Sequence, residues 1–94
     1  MLNEDVRQFN LSVGKKIKAR RLELKKTQTW LAKKIGVTFQ QVQKYEKGSN
    51  GTNLFNLKQI ADALQVSVLY FCAEEKPLLL TKEMEITNDQ SASR

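Results

Sequence analysis

Apolar positions along this chain recur at helical rather than strand spacing. Val13, Ile17 and Leu24, with Arg21, share one face of a segment whose other faces carry lysines, which predicts a first helix from about Leu11 or Ser12 to Leu24. Thr27 is placed to cap a second helix, in which Leu31 and Ile35 stand four apart, and Thr38 a third, in which Val42 and Tyr45 stand three apart. The run Gly48 to Thr52 is made of turn formers, and Asn53 after it is a plausible N-cap for a fourth helix carrying Leu54, Leu57, Ile60, Ala61 and Leu64. Ser67 is expected to cap a short fifth helix ending near Cys72. Pro77 closes the domain, because a proline and the residue before it both resist helix. No internal repeat is visible, and the expected fold is all-α with five helices.

The stretch Gln28 to Lys47 is the most specific. Two short helices that cross at roughly 90–120° through a turn of three or four residues need a small side chain at the contact and a permissive backbone in the turn. Ala32 and Gly36 fit those two slots, and Val37 continues the apolar set at the turn. Gly36 can take positive φ without steric cost and so can terminate the second helix. Thr38 with Gln41 three residues later is a capping-box pattern that starts the third helix at Phe39. Such a helix-turn-helix unit points to DNA.

With Gln28, Ala32, Gly36, this apolar set and the following Tyr45-Glu46-Lys47-Gly48, the chain resembles the DNA-binding domain of the Cro/CI-type, XRE-like transcriptional regulators. The resemblance runs from about Val13 to Phe71. It takes in an upstream Arg-containing helix and a downstream LKQIADALQVSVLYF segment similar to that family's last two helices. It implies a lambda-repressor-like five-helix domain, here over residues 11–75. The chain departs from the family pattern at Lys25 and Lys26, where a glycine and an apolar residue are usual, and at Gln65, where glycine is usual.

Composition adds where the charge lies. The 94 residues carry a formal charge of +6. From Leu11 to Lys47 there are eleven Lys or Arg against Glu23 and Glu46, a net +9, while residues 1–10 sum to −1 and residues 48–94 to −2. A positive field concentrated on the helix-turn-helix is what an electrostatic footprint on phosphates requires, although a solvated basic surface has the same composition. The chain has no His and one cysteine, Cys72, so a structural zinc site, a His-based triad and an intrachain disulfide are excluded, in keeping with a reducing cytosol. Its longest apolar run, Val66 to Ala73, is far short of the roughly 20 residues of a membrane span, and neither a signal peptide nor a Gly-rich phosphate loop is visible. The expectation is a cytoplasmic protein that is not an enzyme and needs no metal or cofactor.

On a helix in the major groove the N-terminal residues and the outward face reach base edges, which makes Phe39, Gln40, Gln43 and Lys44 the candidate base contacts. Gln40 leads, since its amide can pair with adenine N6 and N7, whereas Lys44 favours guanine or a phosphate. Phe39 either touches a thymine methyl or packs beside the turn. Gln43 either reaches a base or stays solvated, and Gln41 is assigned mainly to capping. Gln28, at the start of the second helix, is placed to hold a phosphate, and the resemblance implies the same. Thr38, Lys47, Ser49, Asn50 and Thr52 are further phosphate candidates; for Asn53 a capping role is favoured. Trp30 either covers the first helix or lies against the sugar-phosphate backbone, with packing favoured. In similar proteins Arg21 and Glu46 match an internal ion pair, which would be structural.

The flanks say less. Residues 1–10 are read as an arm or an extension of the first helix, and residues 76–94 as a C-terminal extension ending in a polar, disordered tail. Leu78, Leu79 and Leu80 are too apolar for a tail. They pack either within the chain or against a second chain, and each would contribute on the order of 1.5–3 kcal/mol if buried. Taken together, these features predict a sequence-specific regulator of duplex DNA, a homodimeric repressor on a pseudo-palindromic operator. The alternatives are a DNA-binding antitoxin whose extension binds a protein partner, or a protein-binding adaptor on the same fold.

Overall fold

The computed structural model describes residues 3–73, in which α1 (Asn3–Glu23), α2 (Gln28–Ile35), α3 (Phe39–Lys47), α4 (Leu54–Leu64) and α5 (Val68–Cys72) follow one another, and all regular structure is helical. The inner helices start at the expected caps. Thr27 Oγ1 accepts from the Trp30 N–H at 3.0 Å, Thr38 Oγ1 from the Gln41 N–H at 3.1 Å, and Asn53 Oδ1 from the Asn56 N–H at 2.7 Å. Ser67 occupies the N-cap position of α5, but its hydroxyl makes no capping bond.

α1 begins at Asn3, eight residues before the expected Leu11, so Asn3 to Asn10 extend the first helix. Glu4 and Asp5 in its first turn complement the helix dipole, and Arg7 and Gln8 both donate to the Glu4 carboxylate. The Arg7 hydrogen bond holds the Glu4 carboxyl below its ordinary pKa and raises that of the guanidinium. Leu78 to Leu80 and Pro77 lie outside the described residues.

Four helices close alike. A residue just past each takes positive φ, Lys25 two positions beyond α1 at 60° and Gly36, Gly48 and Gln65 directly after their helices at 73°, 75° and 63°. The next N–H then returns to a carbonyl of the last turn, Lys26 to Arg21, Val37 to Ala32, Ser49 to Lys44 and Val66 to Ala61, at 3.0 or 3.1 Å. The two departures from the family pattern at Lys25 and Gln65 therefore retain the left-handed turn without glycine.

Every helix contributes to one core, in which Ile17, Leu31, Val42, Ile60, Leu64 and Phe71 are fully buried. Trp30, Val37 and Leu24 pack against its edge. Leu54, which shares the helical spacing of the apolar residues of α4, is 75% exposed. It is the first residue of that helix, whereas Leu57, Ile60, Ala61 and Leu64 are buried. The crossing of α1 on α3 depends on Gly14: a Cβ there would lie 2.4 Å from the Tyr45 carbonyl oxygen and 2.6 Å from that of Glu46. No side chain fits at that separation.

Candidate nucleic-acid interface

α3 divides cleanly between its faces. Val42, Tyr45 and Glu46 are buried, while Gln40 and Lys44 are exposed, Phe39 is 41% exposed and Gln43 half-buried. Two ties hold the buried side: Val42 in the core, and Tyr45, whose hydroxyl accepts from Asn56 Nδ2 at 3.2 Å. The outward side chains of Gln40 and Lys44 make no side-chain bond to the described residues, so their amide and ammonium groups are available to a ligand.

Beneath α3 lies a buried ion pair. Arg21 Nε donates to Glu46 Oε2 at 2.7 Å and Nη2 to Oε1 at 3.0 Å, with the two side chains 7% and 3% exposed. Arg21 Nη1 also donates to the Lys26 carbonyl at 2.7 Å, so the guanidinium serves the α1–α2 turn as well. A bidentate Arg–carboxylate fork satisfies both buried charges and fixes relative orientation.

Gln28 has a partner that the sequence did not disclose. Its Nε2 donates to Glu46 Oε1 at 2.9 Å, and the side chain is half-buried. One amide hydrogen and the carbonyl remain for other contacts. This bond brings the start of α2 to the C-terminal end of α3, beside Lys47, Ser49 and Asn50, all exposed. Thr38 sits at the opposite end of α3, with its hydroxyl oxygen engaged as the cap. Thr52 is half-buried and donates to the Asn53 carbonyl at 3.2 Å, and Asn53 acts as a helix cap.

Two features of this surface escaped the sequence. Lys26 Nζ and Lys34 Nζ lie 5.0 and 5.7 Å from the Trp30 ring centroid, a cation–π stack readable in retrospect from the spacing of four. Asn10 of α1 borders the α3–α4 loop, its Oδ1 3.1 Å from where a Gly51 Cβ would stand. Nothing in the local sequence marks that long-range approach. Among the described residues no three His, Cys, Asp or Glu groups are arranged to hold a metal ion, and no helix is long and apolar enough to cross a membrane.

A short helix with an open polar face, braced from behind and set by a tight turn across the preceding helix, defines a helix-turn-helix domain. A family model described as helix-turn-helix matches residues 17–71, and the chain belongs to the XRE-like helix-turn-helix family of transcriptional regulators. It is 52% identical over 62 residues to the HTH-type transcriptional regulator y4aM of Sinorhizobium fredii, covering 66% of this chain and 43% of that protein. The transcriptional repressor RstR of the cryptic phage CTXphi in Vibrio cholerae is 32% identical over 62 residues, covering 66% and 55%. The chain spans about half the length of the curated relatives it matches. Its fold is that of the restriction-modification controller protein C.AhdI from Aeromonas hydrophila, with a TM-score of 0.64 at 22% identity over 72% of this chain and 97% of that one. Family and relatives are regulators rather than enzymes.

Proposed function

We propose that this chain binds duplex DNA sequence-specifically in the cytoplasm and, as a homodimer on a pseudo-palindromic operator, represses transcription. The observation that carries the reading is the outward face of α3, where Gln40 and Lys44 stand exposed and uncommitted over a buried brace. In the major groove Gln40 pairs with adenine, Lys44 with guanine or a phosphate, Phe39 with a thymine methyl, and Gln43 at the margin. Gln28, Thr38, Lys47, Ser49, Asn50 and Thr52 hold the flanking phosphates, and the +9 segment supplies the long-range attraction.

A nine-residue α3 extends only ~13 Å and reads a few base pairs, so two copies are needed for a specific site. Repression follows the description of the Vibrio cholerae relative as a repressor. Selection of bound sequences from a random duplex library, at several stated salt concentrations, tests the whole reading. A palindromic consensus with affinity falling steeply as salt rises is expected. Binding without sequence preference or salt dependence would instead point to a protein-binding adaptor.

A further inference from the structure

Asn3 to Phe9 form the first two turns of α1, and every one of these residues is exposed. Two of them are large and apolar, Val6 at 44% and Phe9 at 47% exposure. These turns propagate from the packed part of a 21-residue helix, and the local bonds from Arg7 and Gln8 to Glu4 add only weak, exposed support. Val6 and Phe9 leave an apolar strip about half exposed along this end of the helix.

The path of the chain supplies a partner for that strip. Arg20 Nε donates to the Leu64 carbonyl at 2.9 Å, and the Lys16 ammonium donates to the carbonyl of Ala73. From Leu64 to Ala73 the chain therefore advances along α1 from Arg20 towards Lys16, heading for the N-terminal turns. With 3.6 residues per turn, Phe9, Lys16 and Arg20 fall within about 40° of one another around the helix, with Val13 and Val6 adjoining them. Phe9 lies ~10 Å and Val6 ~15 Å beyond Lys16 along the axis. Five residues from Ala73 span at most ~17 Å, and at that distance the sequence reads Leu78-Leu79-Leu80.

We propose that Leu78 to Leu80 dock within their own chain onto the Val6 and Phe9 face of α1. A tether this short holds the leucines at an effective concentration on the order of millimolar, which favours the same chain over a second copy. A hollow of about 30 Å³ lies beside Phe9, walled by Val13, Tyr45 and Leu57 on its apolar side and by Asn10, Asn50 and Thr52 on its polar side, so only its apolar wall adjoins the surface they meet. This docking does not depend on what α3 reads.

The test is nuclear magnetic resonance on the full 94-residue chain. Leucine methyl to Phe9 ring contacts are expected within one chain in an equimolar mixture of differently labelled copies. In the triple variant Leu78→Ser, Leu79→Ser, Leu80→Ser, amide protection over Val6 to Val13 should fall about tenfold or more while Ile60 and Leu64 keep theirs. Contacts between differently labelled copies would overturn the proposal in favour of a dimer seam. Absent contacts, or protection unchanged in the triple variant, would overturn it outright.

Discussion

Gln28 Nε2 donates to Glu46 Oε1 at 2.9 Å, so the residue that opens α2 is fastened to the carboxylate that also receives Arg21. Three helices meet at that one carboxylate: α1 through Arg21, α2 through Gln28, and α3 through Glu46 itself. The relation fixes how α3 is presented, because rotating it would break two bonds to Arg21 and one to Gln28.

Removing one partner of this brace should strand the other as a buried charge. Arg21→Ala is expected to cost about 3–5 kcal/mol of folding stability, whereas Arg21→Met with Glu46→Leu should cost markedly less. Urea unfolding of both variants measures this. A single variant losing under about 1 kcal/mol would show that the pair is not desolvated as its burial indicates.

Gln28 is proposed to position DNA rather than to read it. With the two Arg21 bonds still holding Glu46 and α3 in place, Gln28→Ala should weaken specific and non-specific duplexes by a similar factor and leave the selected consensus intact. Titration of both duplexes at one salt concentration decides it, and a loss confined to one base position would reassign the residue to readout.

Gln40 is proposed to read. Gln40→Ala should cost about 1–3 kcal/mol on the preferred site and relax preference at one base pair in each half-site. Repeating the sequence selection with the variant gives the outcome, and an unchanged consensus would remove Gln40 from the base contacts.

The starts of α2, α3 and α4 were legible because their signals are local: Thr27, Thr38 and Asn53 cap within three residues of themselves, whereas α1 begins eight residues before the expected Leu11. The ion pair was legible only through family resemblance, since Arg21 and Glu46 are 25 positions apart and nothing local links them. Features set by long-range packing were not legible. The bond from Gln28 to Glu46 depends on the α2–α3 crossing, and the need for Gly14 on an approach between backbones.

That approach yields a fourth expectation. With its added Cβ 2.4 Å from the Tyr45 carbonyl oxygen, Gly14→Ala must push α1 off α3, against its higher helix propensity. An overpacking cost of about 1–3 kcal/mol is expected in thermal or urea unfolding. A stabilised variant would mean that the helices separate easily.

The turns at Gly36 and Gln65 take the same left-handed conformation, φ 73° and 63°, yet only the first has the residue suited to it. A side chain with a Cβ costs roughly 1–2 kcal/mol there, while a new glycine adds about 0.4–1 kcal/mol of unfolded-chain entropy. The difference favours replacement. Gln65→Gly should therefore stabilise the fold by about 0.5–1 kcal/mol, raising Tm by a few degrees for a domain of this size. Gly36→Ala should lower stability by a similar amount, because no atom crowds the site and only the backbone strain remains. Calorimetry of the two variants supplies the comparison. A Gln65→Gly variant that melts lower than the parent would show that Gln65 makes compensating contacts worth more than the strain it carries.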